Sequence, residues 1–329
     1  MTSLKEQVAI ARTRALEFLR HCVRNGLAHS YAASEGRWVK PYPEVTGYLL
    51  SLFCRVGDNS KLAERMARRL IKSQQPCGGF RSFEGEHVFV FDTAQICQGL
   101  LDWYNTTGQP TALVACKRGA EFICRMQLPS GAFFPIFDEN AQERVSFGST
   151  WGNSFSPINC KCAEFLTRMT TLGFGDYRQA IDNVCRWTLS HPQLPDTHPG
   201  AYSLEGLLAG GYQKAVRERL LQHFIPRLDA TGFLSYRWEL SYAYVSGSVQ
   251  IGLLCTKVGL TEPALRILKW ALRVQLGHPS GGLVQYANSD GSLNADIHCE
   301  INSWGTKYYV ELIDALSQTS WFTTSTISH

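Results

Sequence analysis

Charged residues are sparse, at 18% of the 329-residue sequence, and Lys and Arg outnumber Asp and Glu by only 32 to 28. The basic residues are also dispersed, which excludes the concentrated positive patch expected of a nucleic-acid-binding protein. No run approaches the ~18 uninterrupted apolar residues that a membrane-spanning helix needs. The amino-terminal segment alternates charged and apolar residues at helical spacing and lacks a signal-peptide core. We therefore expect a soluble cytoplasmic protein without a transmembrane segment.

The eleven cysteines include no CxxC pair, their number is odd, and several fall within helical patterns, such as Cys54, Cys97 and Cys255. This distribution is typical of small buried thiols in a reducing compartment rather than of a disulfide framework or a zinc site. The nearest approach to a ligand cluster, His298-Cys299-Glu300, lacks a further residue at metal-ligand spacing. The sequence thus predicts neither a metal site nor another cofactor.

One unit recurs about every 50 residues, as in repeat architectures. Each copy begins with an amphipathic segment, breaks at a loop rich in glycine and proline, continues as a more apolar helix and ends near a glycine. The clearest copies begin at Lys61, Leu113 and Pro263, and weaker ones begin near Arg12, Tyr177 and Val216. The pattern predicts six helical hairpins.

The two helices of each hairpin differ in composition. First helices carry Arg, Lys and Glu on one face, whereas second helices, such as EVTGYLLSLFCRVG and SGSVQIGLLCTKVG, are apolar almost all round and must be buried. An outer ring of amphipathic helices therefore surrounds an inner ring, and six pairs are enough to close it. Strand patterns are confined to short runs such as HVFVF and GLVQY. We predict an all-α fold, an (α/α)6 toroid of six helical hairpins, in a single domain over residues 1–329.

The connections between helices indicate a working face. Inner-to-outer connections are brief glycine turns such as RVGDNS and NTTGQP, whereas several outer-to-inner connections are long, at 81–91, 134–155, 235–245 and 283–300. Long ordered loops in compact domains tend to be functional. We therefore expect the site at the end where the inner helices begin, near residues 44, 92, 157, 199, 246 and 302.

Polar side chains mark the first turns of the predicted inner helices. These positions hold Glu44, Asp92, Asn159, His198, Ser246 and Asn302. Further polar residues follow at helical spacing, among them Tyr48, Gln95, Tyr202, Glu205, Gln250 and Lys307. Spacing of three or four places each set on one side of its helix, so the polar stripes converge on the ring axis. Four tryptophans near the long loops, Trp38, Trp151, Trp238 and Trp304, offer flat faces for stacking on sugar rings.

Structural roles also account for these residues when each is taken singly. Asp92 and Ser246 could be helix N-caps, and Glu44 could interact with a helix dipole. A hydrogen-bonded core histidine is the simpler interpretation of His198, and the glutamines and Tyr202 could link helices. Each tryptophan could anchor a loop. The agreement in position across all six repeats is what favours a common site.

With these residues in view, the chain resembles the six-hairpin toroid proteins of bacterial polysaccharide biosynthesis, often labelled prenyltransferase-like, over nearly its whole length. The resemblance depends on PEVTGY at 43–48, VFDTAQ at 90–95, Asn159 with Lys161, Thr197-His198 with Tyr202, Ser246 with Gln250, and Ser303-Trp304 with Lys307. Similar folds serve glycoside hydrolases, polysaccharide lyases and uronate epimerases, as well as terpene cyclases and protein prenyltransferase β subunits. The chain lacks the DxDD motif of terpene cyclases and the zinc motifs of lanthionine cyclases and prenyltransferases, which favours sugar over isoprenoid.

Two chemistries and a binding role stay open at this point. Hydrolysis needs a protonated and an ionised carboxyl ~5–9.5 Å apart, and Glu44 and Asp92 begin adjacent inner helices whose axes should lie ~8–10 Å apart. Glu205 and Glu300 are reserve carboxyls. Lyase or C5-epimerase chemistry needs a neutraliser for a uronate carboxylate, from Asn159, Lys161 or Lys307, and a base, from Tyr202 or His198. A non-catalytic glycan-binding or scaffold protein would use the same aromatic residues for binding alone.

We predict a glycoside hydrolase first and the other roles as alternatives. The predicted catalytic residues are Glu44, Asp92, His198 and Tyr202. The predicted substrate-binding residues are Tyr48, Gln95, Trp151, Asn159, Lys161, Glu205, Trp238, Gln250, Trp304 and Lys307. The expected partner is an oligosaccharide or polysaccharide, with an anionic one favoured by the ring of helix N-termini, and polysaccharide assembly proteins are further candidates.

Overall fold

The structure, a computed structural model, describes residues 3–57, 60–82, 85, 87–147, 154–294, 297 and 300–319. Twelve α-helices account for most of these residues. They are α1 Leu4–Cys22, α2 Pro43–Val56, α3 Ser60–Ser73, α4 Val90–Thr107, α5 Pro110–Arg125, α6 Cys162–Thr171, α7 Arg178–Leu189, α8 Thr197–Ala209, α9 Gln213–Arg219, α10 Val245–Lys257, α11 Thr261–Leu276 and α12 Ser303–Ser317. A 3-10 turn, Pro157–Lys161, leads into α6, and a π-helical turn, Leu220–Phe224, continues α9.

The even-numbered helices form a closed inner ring. Each contacts the next in order from α2 to α12, and α12 contacts α2. The odd-numbered helices pack outside them, each against the inner helix that precedes it around the ring, with α1 packing against α12. The ring closes because the inner helices are apolar on nearly every side and can bury those sides only against neighbours. The predicted (α/α)6 toroid is confirmed.

The inner helices run in the same direction around the axis. They begin at 43, 90, 157, 197, 245 and 303 when the 3-10 turn before α6 is included, each within two residues of its predicted start. First turns of neighbouring helices meet at the same level: Gly247 of α10 lies against Thr197 of α8, and Gly305 of α12 against Ser246 of α10. The side chains that open each inner helix are therefore gathered at one end of the ring.

Short strands fill the long outer-to-inner connections at that end. Two four-stranded and two two-stranded antiparallel sheets form there. Their strands are β1 Val23–Arg24, β2 Leu27–Ala28, β3 Tyr31–Ala32, β4 Arg37–Trp38, β5 Phe80–Arg81, β6 Val88–Phe89, β7 Ile136–Asp138, β8 Glu143–Val145, β9 Ala243–Tyr244, β10 Leu283–Val284, β11 Tyr286–Ala287 and β12 Glu300–Asn302. The two runs predicted to form ribbons contain β6, β10 and β11.

Contacts between the two ends of the described chain close the toroid. Strand β12 pairs with β3, so the last long loop joins the first in one sheet. Arg12 of α1 forms an ion pair with Asp314 of α12 at 2.5 Å. Gly281 has a φ of +81°, and a Cβ there would lie 2.7 Å from the Arg14 carbonyl oxygen, so only glycine fits the turn that packs the sixth repeat on α1.

One continuous hydrophobic core involves all six hairpins. Ten cysteines lie among the described residues, all as free thiols and seven of them buried, as predicted. None of the described helices combines the length and apolar character needed to cross a lipid bilayer. The single-domain assignment of residues 1–329 stays a prediction.

Candidate functional site

Two carboxyl groups come together at the start of adjacent inner helices. Glu44 is the second residue of α2 and Asp92 the third of α4. The helices approach closely through glycine: a Cβ at Gly47 would lie 2.4 Å from the Gln95 carbonyl oxygen, and one at Gly99 would lie 2.3 Å from the Gly47 carbonyl oxygen. Glu44 and Asp92, which lie three residues before Gly47 and Gln95, are therefore neighbours, and the charge of Asp92 raises the pKa of Glu44.

Burial and mutual repulsion set the protonation of this pair. Burial, with added repulsion from Asp92, places the pKa of Glu44 well above its usual range, although the backbone N–H groups of Glu44 and Val45 partly offset this. Burial raises the pKa of Asp92 to about 7. Among the described residues, Glu44 Oε2 is buried without a hydrogen-bond partner. Two adjacent buried carboxyls do not both ionise readily, so ionisation of Asp92 favours retention of the proton on Glu44.

The residues at which α4 and α10 begin test the interpretation of Asp92 and Ser246 as helix N-caps. The N-cap residue of α4 is Phe89 and that of α10 is Tyr244, and neither supplies a side-chain cap hydrogen bond. Asp92 and Ser246 lie within the first turn, past the cap position, so the interpretation of both as N-caps is wrong. Asn302, by contrast, does cap α12, because its side chain accepts a first-turn backbone N–H.

A buried chain of polar side chains begins at His198. His198 Nδ1 hydrogen-bonds Gln250 Oε1, and Gln250 Nε2 donates to Glu205 Oε2 at 3.3 Å. The Lys161 ammonium lies 3.0 Å from the same carboxylate. All four residues are buried, and they come from the region of α6, from α8 and from α10. The structure thus joins four predicted site residues in one network across neighbouring helices.

The network determines which His198 nitrogen carries the proton. Glu205, held as a carboxylate by Lys161, can only accept, so the Gln250 NH2 group points towards it and the amide oxygen points towards His198. Nδ1 must then be the donor, and Nε2 carries the lone pair. Burial lowers the pKa of His198 to about 4, although the Gln250 hydrogen bond opposes that shift. His198 is therefore a neutral base with an acceptor at Nε2.

An aromatic layer crosses the ring one turn inside the helix starts. The Tyr48 and Tyr308 ring centroids are 5.7 Å apart, those of Tyr308 and Tyr202 6.4 Å, and those of Tyr202 and Phe91 4.9 Å. These residues come from α2, α12, α8 and α4 and are all buried. The layer lies between the carboxyl pair and the second half of the axis.

A cavity of about 410 Å³ lies along the ring axis beyond this layer, lined from the middle of the inner helices to their C-terminal ends. It extends to exposed residues at the helix ends, Lys257 and Gln318. Five predicted substrate-binding residues line it: Tyr48, Gln95, Lys161, Glu205 and Lys307. Their side chains thus border a space away from the long-loop end, while Glu44, Asp92 and His198 occupy the first turns. Their binding roles stay predictions.

The remaining predicted residues are spread more widely. Both polar atoms of the buried Asn159 amide lack hydrogen-bond partners among the described residues. The Trp304 ring packs edge-on against Tyr42 at 5.4 Å near the start of α12. Trp238 is 64% exposed in the loop before β9, apart from the ring axis. Trp151, with His298 and Cys299, lies outside the described residues.

Sequence reasoning missed seven charged residues of the inner cavity, which are Arg55, Asp102, Glu164, Arg168, Lys257, Glu311 and Asp314. Glu311 lies 2.8 Å from the Lys307 ammonium and also pairs with Arg55. Arg168 pairs with Asp102, and Lys161 with Glu164. All except Lys257 lie three or four residues after another polar residue of the same helix or of the turn that leads into it, so following the polar stripes to the helix ends would have found them.

No protein-family model matches the sequence, and no curated protein matches it. Solved structures do match along nearly the whole chain. An unsaturated glucuronyl hydrolase specific for heparin is 13% identical, with a TM-score of 0.71 over 95% of this chain and 98% of its own. The cellobiose 2-epimerase of Bacillus thermoamylovorans B4167 is 14% identical, with a TM-score of 0.73 over 94% of this chain and 100% of its own.

The chain has the fold of the (α/α)6 toroid enzymes. A type II terpene cyclase from Scytonema also matches, at 14% identity and a TM-score of 0.63 over 95% of this chain and 99% of its own. Sugar-acting enzymes and a cyclase thus share this architecture. At identities this low the similarity establishes the fold alone, and the reaction has to be argued from the site.

Proposed function

We propose that this toroid is a carbohydrate-processing enzyme, and specifically a glycoside hydrolase with Glu44 as general acid and Asp92 as general base or nucleophile. The coupled pair of buried carboxyls at the start of α2 and α4 carries the proposal. Burial and the Asp92 charge raise the pKa of Glu44 well above its usual range, and burial raises that of Asp92 to about 7. At mildly alkaline pH one group can donate a proton to the leaving oxygen while the other is ionised, which is the division of roles that glycoside hydrolysis needs.

The charged cavity on the ring axis favours sugars over isoprenoids as ligands of this toroid, although it lies beyond the aromatic layer from Glu44 and Asp92. Its described lining includes five ion pairs, among them Lys161 with Glu205 and Lys307 with Glu311. A hydrocarbon chain would desolvate these charges without replacing their hydrogen bonds, whereas sugar hydroxyls both donate and accept. Similarity to a glucuronyl hydrolase and a cellobiose epimerase is consistent with this substrate class.

A second candidate function is proton abstraction from a sugar carbon, as in an epimerase or a uronate lyase. The observation that favours it is His198, a buried neutral histidine with its lone pair at Nε2. A neutral imidazole is suited to act as a base, and Tyr202 lies beside it with a ring-centroid distance of 4.5 Å.

The experiment incubates the purified protein with the polysaccharide made by its own host and with a panel of disaccharides. New reducing ends indicate hydrolysis, absorbance from an unsaturated uronate indicates lyase action, and solvent deuterium on a ring carbon indicates epimerisation. We expect the wild-type protein and the His198→Gln variant to produce new reducing ends, and the Glu44→Gln and Asp92→Asn variants to produce none. Deuterium incorporation that depends on His198 would transfer the assignment to the second candidate.

The matched control is Glu64→Gln, because the Glu64 side chain is 43% exposed on the outer helix α3 and pairs only with Arg68 one turn away. Binding of the glycan without any of the three products would indicate a glycan-binding or scaffold protein instead. A cytoplasmic location and an association with polysaccharide assembly proteins stay predictions.

A further inference from the structure

The second half of the ring axis holds a cavity separate from the carboxyl pair. The aromatic layer of Tyr48, Phe91, Tyr202 and Tyr308 lies between them, and rings from α2 and α8, on opposite sides of the inner ring, reach towards one another within it. The cavity beyond has a volume of about 410 Å³. Small-molecule sites typically enclose ~300–1,000 Å³.

The cavity wall is balanced in charge. Lys161 faces Glu205 at 3.0 Å and Lys307 faces Glu311 at 2.8 Å, and Arg168 pairs with Asp102. The lining holds five basic and five acidic side chains, so neither sign of charge is in excess. An anionic or cationic ligand would be repelled by the side chains of its own sign beside each side chain that attracts it, so most of the electrostatic attraction would cancel.

Although the Tyr48 phenol interacts with the phenols of Tyr202 and Tyr308, three buried polar groups on the wall have no well-formed hydrogen bond among the described residues. They are the hydroxyls of Tyr48 and Tyr308 and the amide oxygen of Gln98. The tyrosine residues are only 4% and 1% exposed. Buried polar groups in native proteins are normally paired, so these groups mark positions where a bound molecule would complete the hydrogen bonding.

The geometry points to a second binding site, in this cavity, for a small uncharged polyhydroxy compound such as a free monosaccharide or disaccharide. A hydroxyl group donates to a carboxylate and accepts from an ammonium or a phenol, so one such molecule satisfies alternating acids and bases together. The site does not depend on catalysis by Glu44 and Asp92. It makes the toroid two-ended, with chemistry at the long-loop end and ligand binding at the short-turn end.

Methyl NMR tests this inference on the intact chain, because Leu253 and Ala315 line the cavity and supply resolved probes. The protein carrying 13C-labelled leucine and alanine methyls is titrated with glucose, cellobiose and inositol, and in parallel with glucuronate and phosphate. We expect saturable shifts at Leu253 and Ala315 with at least one uncharged compound, unchanged in the Glu44→Gln, Asp92→Asn double variant. No shift, or a stronger response to either anion, would overturn the assignment.

Two variants locate the binding. Ala315→Trp fills the cavity mouth and should weaken binding at least about tenfold, measured from the Leu253 methyl shifts. Ser317 is exposed on the same helix, so Ser317→Trp is the control and should leave the affinity unchanged. If Ala315→Trp fails to fold, Gln98→Met removes one acceptor and should weaken binding about three- to tenfold. Full affinity in a folded Ala315→Trp protein would place the ligand elsewhere and refute the site.

Discussion

The ammonium of Lys161 lies 3.0 Å from the carboxylate of Glu205, and both side chains are 4% exposed. Lys161 also pairs with Glu164, whereas Glu205 has no second cation within salt-bridge distance among the described residues. Burial opposes charge on either group, but the two carboxylates outweigh it and raise the pKa of Lys161. The pair is therefore asymmetric, and loss of either partner should have a different consequence.

Lys161→Met should destabilise the fold by ~3–5 kcal/mol, because it leaves the Glu205 carboxylate buried and uncompensated. Glu205→Leu should cost less, since Glu164 still neutralises Lys161. Equilibrium denaturation in urea measures both. Burial raises the pKa of Glu205 and Lys161 lowers it, so without Lys161 the carboxyl should protonate more readily and the cost should shrink as pH falls. Equal costs for the two variants would contradict this account.

Asp92 should make the protein less stable as pH rises. Its folded pKa, about 7, exceeds the ordinary aspartate value of 3.8, so the folded state binds more protons than the unfolded state between these values. The stability it contributes is complete below about pH 4 and is lost as pH rises through 7. Asp92→Asn removes this dependence, so its stability relative to wild type should increase from pH 4 to pH 8 by on the order of 2–4 kcal/mol.

Thermal and urea unfolding across this pH range provide the measurement. Glu64→Gln, on the exposed face of α3, is the control and should give a flat difference curve. A flat curve for Asp92→Asn as well would mean that Asp92 is not the buried, proton-binding carboxyl described above.

His198 should carry its proton on Nδ1 and stay neutral down to about pH 4, as the Gln250 hydrogen bond and burial require. Long-range 15N–1H correlation spectra of the imidazole distinguish the tautomers, and the His198→Gln spectrum assigns the signal. Gln250→Glu places a carboxylate beside the ring and should raise the pKa of His198, because an opposite charge favours the imidazolium. A proton on Nε2 in the wild-type protein would break the chain inferred from Glu205 to His198.

The fold was predictable because its signals are long and repeated. Proline at the start of α2, glycine after its end and an apolar stretch between them define a helix without tertiary information, and six such units predict a ring. The proximity of Glu44 and Asp92 also followed, since both open adjacent inner helices. The start of α4 was placed two residues late, because the first turn, VFD, is apolar and lacks a capping side chain.

The depth of side chains along the axis was not predictable. Gln250, in the second turn of α10, donates a hydrogen bond to Glu205, in the third turn of α8, and spacing within one helix does not reveal such a contact. Tyr308 was overlooked beside Lys307, although its ring lies 4.1 Å from that ammonium and completes the aromatic layer. The boundary between the two halves of the axis is therefore visible only in the structure, where aromatic rings from four helices pack together.

The proposed roles of Glu44 and Asp92 predict different responses to the leaving group. A general acid is needed when the departing oxygen is a poor leaving group, and hardly at all when it is an activated phenol. Glu44→Gln should therefore lower kcat on an unactivated disaccharide by ~10²–10⁴-fold. On a dinitrophenyl glycoside its kcat should stay within about tenfold of the wild-type value. Asp92→Asn should lose activity on both, because a base or nucleophile acts whichever group departs.

The pH profiles should separate the two roles further. On the unactivated substrate the wild-type rate should rise with pH towards about 7 as Asp92 loses its proton. It should fall at higher pH as Glu44 loses its own, because the Asp92 charge adds to burial in raising the pKa of Glu44. With the activated substrate, Glu44→Gln should keep the rising limb and lack the fall. If the rising limb disappears in Glu44→Gln and persists in Asp92→Asn, the assignments are reversed. If neither variant changes either profile, the carboxyl pair is structural and His198 becomes the residue to test.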